Sequence, residues 1–336
     1  MVPKIAVIGA GSWGTAIAAL LGRKKNIVHL WARDLALAKD IESSRFNPRY
    51  LPDVIIPPTV FPTGDIKEAL KDAAIVIFAV PSIAMRDVVK KAREFVSHDA
   101  IVVSLTKGIE RNTLMRMSEV IASELPEEIS RNIAVLSGPN HAEEVSKDIP
   151  SATVVSAKQK HIAVRLQELF MTPYFRVYTN PDIMGVELGG ATKNVIAIAA
   201  GISDGLGYGD NTKASLMTRG LAEMTRLGLA MGAKPLTFAG LSGVGDLIAT
   251  CTSKHSRNRA AGEKVAKGMS VDDISKETTM VAEGLFSSVA INKLSLKYQI
   301  EMPITRNVAE VLYEGKEPHK CVSDLMQRGA TEEIVW

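Results

Sequence analysis

The amino-acid sequence predicts an α/β protein in which an N-terminal Rossmann-type, doubly wound sheet is followed by an all-α C-terminal domain. Short β-branched runs alternate with helical patterns before residue 187, and almost only helical periodicity follows residue 213. A glycine-rich turn directly follows the first apolar run, as in a dinucleotide-binding unit. Because 336 residues exceed the size at which a single core usually stops growing, we expect two domains, 1–188 and 189–336.

Composition excludes several classes of function. The 40 basic and 37 acidic residues nearly balance and form no long runs, so we expect no nucleic-acid partner and no binding to a membrane surface. Cys251 and Cys321 lack metal-ligand spacing, which predicts free thiols in a reducing compartment and no metal site. Apolar runs such as Ala73 to Pro81 are too short to span a bilayer, and Lys4 interrupts any leader pattern. We therefore expect a cytoplasmic protein without membrane insertion.

The first βα unit carries a dinucleotide fingerprint. An apolar strand at residues 4–8 precedes Gly9-Ala10-Gly11-Ser12-Trp13-Gly14, and a helical pattern follows from Thr15 to Leu21. Gly9 suits a tight turn, Gly11 admits the pyrophosphate close to the backbone, and Gly14 allows the helix to pack on the strand. The helix N-terminus would then hold the phosphates. The alternative is a structural turn in another α/β fold.

The second predicted strand, residues 27–31, leads to the position that selects between NAD and NADP. An NAD site usually places an acidic residue about 20 residues after the glycine turn, but here Arg33 precedes Asp34. An arginine can pair with a 2′-phosphate, so we expect NADPH as the cofactor, with NADH tolerated. The segment Pro48 to Pro62 contains five prolines and predicts an irregular surface excursion.

Later strands bring further polar residues to the edge of the sheet where ligands bind. We predict strands at residues 73–80, 101–105, 133–136, 153–155 and 175–178. Lys107 follows one of them, and the turn from Ser137 to Glu144 feeds a helix whose amides can hold a substrate oxygen or phosphate. His141 in this turn is either a general acid or a polar surface residue.

The stretch from Glu187 to Lys213 marks the change between the two halves of the sequence. Its small residues at 189–191 allow another backbone or a ligand to approach closely. Lys193 follows them at the predicted start of an apolar helix. It is either a solvated lysine on a helix surface or a desolvated proton donor in a cleft between domains.

The second half contains two glycine turns and a candidate anion site. A helix is predicted from Lys213 to Met231, glycine turns at residues 240–246 and 281–284, and a break at residues 251–255. Ser256 followed by Arg257 predicts a capped helix start whose dipole and guanidinium can bind an anion, although solvated arginines on an ordinary helix are the alternative. Lys107, Lys193 and Arg257 together indicate a small anionic substrate.

These motifs, in this order, resemble the bacterial NAD(P)-dependent glycerol-3-phosphate dehydrogenase family over essentially the whole chain. The most specific match runs from Gly190 to Ala197 and from Gly207 to Lys213. The resemblance implies reversible hydride transfer between NAD(P)H and dihydroxyacetone phosphate, giving sn-glycerol 3-phosphate for phospholipid synthesis. It also implies a homodimer.

The resemblance implies a role for individual residues as well. Lys193 would be the catalytic proton donor and acceptor, and Asp246 would orient it. The substrate-binding residues would be Lys107, Gly138, Asn140, Lys193, Asp246, Ser256, Arg257 and Asn258. The cofactor-binding residues would be Gly9, Gly11, Ser12, Trp13, Gly14, Arg33, Lys107, Ala142, Arg257, Val281 and Glu283. Asn140 departs from the serine or threonine of many members, and its amide can still form a hydrogen bond.

Two other functions share part of this pattern. Another two-domain NADP-dependent hydroxy-acid dehydrogenase would have the glycine fingerprint without needing a phosphate site at residues 256–258. A non-catalytic NADPH-binding protein would bind the cofactor and turn over no triose phosphate.

Overall fold

The computed structural model of the chain describes residues 3–277, 280–330 and 332–333. Internal contacts divide the chain into two compact units, Met1–Lys107 with Met115–Glu187, and Gly108–Leu114 with Leu188–Trp336. We call these unit 1 and unit 2. The domain bounds 1–188 and 189–336 stay a prediction, and their outermost positions lie outside the described residues.

Unit 1 contains a sheet that, within the described residues, has eight strands in the order β3-β2-β1-β4-β5-β6-β7-β8. The strands are β1 Ile5–Ile8, β2 Val28–Trp31, β3 Val60–Thr63, β4 Ile75–Phe78, β5 Ile101–Ser104, β6 Ile133–Ser137, β7 Ser151–Ala157 and β8 Phe175–Asn180. The first six run parallel, and β7 pairs antiparallel with β6. The order of those six is that of a Rossmann sheet, which confirms the predicted fold class.

Helices cover the sheet because its strands are apolar on both faces. In β1, Ile5 and Val7 belong to one core cluster, whereas Ala6 and Ile8 belong to another. Successive side chains of a strand point to opposite faces, so each face needs its own layer of helices. The helices that supply these layers are α1 Ser12–Arg23, α2 Leu35–Ser44, α3 Ile66–Leu70, α4 Met85–Ala92, α5 Met117–Glu124, α6 Glu127–Ser130, α7 Ala142–Val145 and α8 Lys160–Phe170.

One strand lies where irregular structure was predicted. The proline-rich excursion ends in β3, and Pro62 stands within that strand. Strand β3 is at one end of the sheet and pairs with β2. Proline is tolerated in an edge strand because its missing N–H faces no neighbour there. The guanidinium of Arg45 donates to the carbonyl oxygens of Ile56 and Val60, at 3.1 and 2.9 Å, and so fixes the preceding loop.

In unit 2, the elements described from Leu188 onward are all helical. Helix α9, Ile183–Gly205, spans the division between the units, and the later elements are α10 Asp210–Ala230, α11 Pro235–Phe238, a π-helical turn Leu241–Gly245, α12 Asp246–Thr252, α13 Arg257–Ala266, α14 Val271–Glu277, α15 Glu283–Lys297, α16 Pro303–Tyr313 and α17 Pro318–Met326. The predicted glycine turn at 240–246 is therefore mostly helical, and α12 extends into the predicted break. Helix α9 is long and apolar enough to cross a membrane, but 89% of its most apolar window is buried inside the protein, as in a core helix.

A buried carboxylate anchors the start of α16. Glu223, on α10, accepts hydrogen bonds from the backbone N–H groups of Ile304 and Thr305, at 2.6 and 3.1 Å, and from the Thr305 hydroxyl at 2.9 Å. It thereby pairs amides that an α-helix leaves without partners at its N-terminus. Burial nevertheless raises the pKa of Glu223 from 4.5 to about 7.

This shift predicts a pH dependence of stability. A folded-state pKa above the unfolded value means that the folded protein binds the extra proton between pH 4.5 and about 7. The contribution to the unfolding free energy, roughly 3 kcal/mol, is complete below the unfolded pKa and is lost as pH rises through 7. Glu223→Gln should flatten this slope in urea titrations between pH 5 and 8. The exposed Glu314→Gln should keep it, and equal slopes in wild type and Glu223→Gln would contradict the assignment.

Candidate active site

The glycine turn between β1 and α1 has the geometry of a phosphate cradle. Gly9 has φ +121°, and a Cβ there would lie 2.6 Å from the carbonyl oxygen of Ala79. A Cβ on Gly14 would lie 1.9 Å from the oxygen of Gly9, so both positions require glycine. Around Gly11, by contrast, no described atom other than those of Gly11 and its two chain neighbours lies within 4 Å of where a Cβ would be. That open space, at the N-terminus of α1, fits a dinucleotide pyrophosphate.

Arg33 and Asp34 follow β2 in unit 1, and the structure separates their roles. The side chain of Asp34 accepts from the N–H of Ala36 at 2.9 Å and so caps α2. Its other oxygen pairs with Arg49 Nη1 at 2.9 Å, and hydrogen bonding to Arg49 lowers the pKa of Asp34. Arg33 is exposed. The carboxylate is thus engaged within the protein, and the exposed guanidinium at position 33 is available to a 2′-phosphate.

Polar groups gather at the carboxyl ends of β5 and β6. Lys107 Nζ donates to the carbonyl oxygen of Gly138 at 2.8 Å. A Cβ on Gly138 would lie 2.9 Å from Thr153 Cα, so this glycine allows the close packing of β7. Asn140 Nδ2 donates to Ala152 O at 2.9 Å, and its buried Oδ1 has no partner within the described residues. Helix α7 begins at Ala142 directly after this group.

Lys193 lies in the middle of α9 rather than at the start of a helix. Its side chain is 7% exposed, so the interpretation as a solvated surface lysine is wrong. The ammonium group lies 2.9 Å from Asp246 Oδ1, and it donates to Thr250 Oγ1 at 2.6 Å. The Thr250 hydroxyl in turn donates to Asp246 Oδ1 at 3.2 Å. Lysine, aspartate and threonine therefore form one buried network.

Close backbone contact brings Asp246 to this position. A Cβ on Gly189 would lie 2.4 Å from the carbonyl oxygen of Ser242, which confirms that the small residues before Lys193 admit another backbone. Ser242 belongs to the π-helical turn whose C-cap is Asp246. Thr250 was missed by the sequence analysis. Its spacing of four residues from Asp246 places both side chains on one face of a helix, and that spacing is the signal that could have identified it.

The predicted anion site at the start of α13 has the expected cap. Ser256 Oγ accepts from the N–H of Arg259 at 3.2 Å, and α13 begins at Arg257. Arg257 Nη1 donates to the carbonyl oxygen of Val281 at 3.2 Å. Of the predicted glycine turn at 281–284, Val281 and Ala282 precede α15, and Glu283 and Gly284 are its first residues. Arg257 and the segment before α15 are therefore in direct contact.

The described residues contain no group of three or more His, Cys, Asp or Glu side chains suited to a metal ion. Cys251 and Cys321 are buried free thiols, as predicted. Burial raises the pKa of Cys251 to about 12, so its thiol stays protonated beside the lysine network.

Comparisons with known proteins identify the family of the chain. The N-terminal model of NAD-dependent glycerol-3-phosphate dehydrogenase matches residues 4–163, and the C-terminal model matches residues 182–323. The chain belongs to the NAD-dependent glycerol-3-phosphate dehydrogenase family. This confirms the resemblance inferred from the sequence motifs.

Individual relatives of the family cover the chain almost completely. A glycerol-3-phosphate dehydrogenase [NAD(P)+] of Pelotomaculum thermopropionicum is 50% identical over 331 residues, which are 98% of this chain and 95% of the relative. The Bacillus subtilis enzyme of the same name is 49% identical, with 98% and 96% covered. The crystal structure of glycerol-3-phosphate dehydrogenase from Coxiella burnetii superposes with a TM-score of 0.92 at 37% identity, covering 97% of this chain and 99% of that one.

The lysine network predicts a specific cost for losing the Thr250 hydroxyl. Thr250→Val keeps the shape of the side chain but removes an acceptor from the buried Lys193 ammonium, which should lower the unfolding free energy by about 1–3 kcal/mol. Thr250→Ser keeps the hydroxyl and should lose less. Thr252→Val, on the exposed face of the same helix, is the matched control for denaturant unfolding. A Thr250→Val protein as stable as Thr252→Val would show that the hydroxyl does not support the ammonium.

Proposed function

We propose that the protein catalyses the reversible NAD(P)H-dependent reduction of dihydroxyacetone phosphate to sn-glycerol 3-phosphate, which supplies glycerophospholipid synthesis. The observation that carries the proposal is the buried network of Lys193, Asp246 and Thr250 in a member of this dehydrogenase family. A buried lysine held by a carboxylate and a hydroxyl is a positioned proton donor. Unit 1 would act as the cofactor-binding domain and unit 2 as the substrate-binding domain.

Lys193 would donate a proton during reduction and accept one during oxidation. When bound, the nicotinamide supplies or accepts the hydride. Reduction of a carbonyl leaves an alkoxide, and the Lys193 ammonium can protonate that oxygen as the charge forms. Asp246 and Thr250 each hold the ammonium by one contact, at 2.9 and 2.6 Å, and so fix its direction. In the oxidative direction the neutral amine would accept the proton from the alcohol.

The substrate phosphate would bind at the start of α13. Ser256, Arg257 and Asn258 are proposed as its ligands, since a helix N-terminus and a guanidinium both favour an anion. The predicted roles of Lys107, Gly138 and Asn140 at the substrate stand as proposals. They are supported by the contact of Lys107 with Gly138 O and by the buried Oδ1 of Asn140.

The cofactor would bind along the glycine turn. Gly9, Gly11 and Gly14 shape the cradle, with Ser12 and Trp13 beside it, and Arg33 would meet the 2′-phosphate. Lys107, Ala142, Arg257, Val281 and Glu283 complete the proposed set of cofactor contacts. We propose NADPH as the preferred cofactor because Asp34, the residue that could accept from the ribose hydroxyls of NADH, caps α2 and pairs with Arg49.

A spectrophotometric assay tests the activity directly. The purified protein should oxidise NADPH when dihydroxyacetone phosphate is added, and it should turn over unphosphorylated dihydroxyacetone far more slowly because the anion site is left empty. Turnover of a 2-keto acid in place of the triose phosphate would instead support the hydroxy-acid dehydrogenase. Cofactor binding without any turnover would support a non-catalytic NADPH-binding protein. Neither alternative is favoured, because both halves of the chain match the glycerol-3-phosphate dehydrogenase models.

Replacing the proposed proton donor should remove turnover and leave the cofactor site intact. Lys193→Met should lower kcat by roughly 10² to 10⁴ in both directions, the usual contribution of a positioned acid or base. NADPH binding, followed by fluorescence, should change little. The wild type should lose the reductive rate and gain the oxidative rate at alkaline pH. If the reductive rate of Lys193→Met still fell and its oxidative rate still rose at alkaline pH, another group would carry the proton.

Arg33 should decide between the two cofactors. Arg33→Asp should raise the KM for NADPH much more than the KM for NADH, because the substituted carboxylate repels a 2′-phosphate and can accept from ribose hydroxyls. Arg131→Asp changes an exposed arginine of the same unit by the same charge and is the matched control. Equal changes of both KM values in Arg33→Asp would mean that the arginine contributes general charge alone.

We also propose that the protein acts in the cytoplasm as a homodimer. The two buried free thiols support a reducing compartment, and the dimer rests on the family resemblance. Light scattering of the purified protein tests the dimer, since a particle of one chain's mass at micromolar concentration would refute it.

A further inference from the structure

Two buried asparagines join the three parts of unit 2 to which functional roles are proposed above. Asn194 directly follows Lys193 on α9, and Asn258 directly follows Arg257 on α13. Asn258 Nδ2 donates to Asn194 Oδ1 at 2.8 Å, and Asn258 Oδ1 accepts from the N–H of Gly284 at 2.8 Å. The side chains therefore link the helix of the proton donor, the helix of the phosphate site and the start of α15.

The orientation of this link is determined by its chemistry. The N–H of Gly284 can only donate, so the Asn258 atom that faces it must be the carbonyl oxygen Oδ1. The amide nitrogen of Asn258 must then face Asn194, which accepts with its own oxygen. After these two bonds, Asn258 keeps one N–H and one lone pair of Oδ1. Half of its hydrogen-bonding capacity thus serves the protein itself.

Close packing makes the link rigid. A Cβ on Gly284 would lie 2.5 Å from the carbonyl oxygen of Asn194, so α15 begins against the backbone of α9. Arg257 forms a second hydrogen bond to the segment Val281–Gly284, from Nη1 to the carbonyl oxygen of Val281 at 3.2 Å. A displacement of Asn258 would therefore move Arg257 and the segment Val281–Gly284 relative to Lys193.

We propose that Asn194 is a positioning residue, which acts through Asn258 to hold the phosphate helix and the cofactor-contacting segment in register with Lys193. The proposal rests on the roles proposed above for Lys193, Arg257 and Val281–Glu283. Wild-type turnover of dihydroxyacetone phosphate tests those roles, whereas the pattern among asparagine variants tests the positioning. The two can therefore fail separately.

The decisive variant is Asn194→Leu, which keeps the approximate size of the side chain and removes the acceptor of Asn258. The buried Nδ2 of Asn258 then lacks its partner, and the register it enforces is lost. We expect the KM for dihydroxyacetone phosphate and the dissociation constant of NADPH, measured by fluorescence without substrate, both to rise roughly tenfold. Asn194→Asp restores an acceptor oxygen and should recover most of both losses.

A double-mutant cycle separates positioning from direct contact. Asn194→Leu, Asn258→Leu and the double variant should show effects far from additive, because both single changes break the same bond.

Asn307→Leu is the matched control for a general loss of stability. Asn307 is a buried asparagine of the same unit whose amide is also fully engaged, by Pro303 O and Lys316 Nζ, at 2.8 and 2.6 Å. The variant Asn307→Leu should lower the melting temperature and leave the KM for dihydroxyacetone phosphate and the dissociation constant of NADPH unchanged.

Three results would overturn the proposal. Asn194→Leu could behave like Asn307→Leu, with a lower melting temperature but an unchanged KM for dihydroxyacetone phosphate and an unchanged dissociation constant of NADPH. The link would then stabilise the fold without positioning the site. The losses of Asn194→Leu and Asn258→Leu could add in the double variant. Asn258→Leu could raise the KM for dihydroxyacetone phosphate alone, with NADPH binding intact, which would make Asn258 a substrate ligand and nothing more.

Discussion

The buried ion pair between Lys193 and Asp246 is the interaction on which the candidate site depends. Removing two charges from water costs several kcal/mol per ion, and the attraction between them offsets this cost only when geometry and further hydrogen bonds are good. Here the pair is 2.9 Å apart, and Thr250 contacts both partners. A buried ion pair is weak evidence for stability, because replacing one with apolar residues of similar volume is often neutral or stabilising. The pair is therefore better explained by function.

The surrounding helices are built to hold that pair. Glycine at position 189 lets the backbone of Ser242 approach α9. Ser242 lies in the π-helical turn that ends at Asp246, so this approach brings Asp246 close to Lys193. Such π-turns inside helical segments are often found at functional sites. Directly after Lys193 on α9, Asn194 accepts the hydrogen bond of Asn258 and so connects the lysine helix to the proposed anion site. One helix thus carries the proposed proton donor and the residue proposed to position its neighbours.

Much of unit 1 was predictable because its signals are local. The glycine turn combines a strand, three glycines and a helix within about 20 residues, and each glycine has a steric requirement that the structure confirms at Gly9 and Gly14. Strand β3 was not predictable in this way. Its Pro62 reads as a strand breaker, and only its position at the edge of the sheet makes proline acceptable.

The candidate site in unit 2 was less accessible from the residues alone. Exposure of Lys193 could not be judged from its neighbours, because its burial comes from α12, more than 50 residues later in the chain. The family resemblance supplied the proposed role of Lys193, whereas Thr250 and Asn194 are identified only by contacts between side chains distant in sequence. Ser256, by contrast, was predictable as a cap because serine before a helix has a local hydrogen-bonding role.

The most direct test of the ion pair compares single and double replacements of its two members. Lys193→Met and Asp246→Leu should each lower the unfolding free energy by about 3–5 kcal/mol, because each leaves one buried charge without its partner. The double variant Lys193→Met/Asp246→Leu should regain most of that stability in denaturant titrations and still turn over dihydroxyacetone phosphate no faster than Lys193→Met. Single variants as stable as the wild type, or an active double variant, would contradict the central role of the pair.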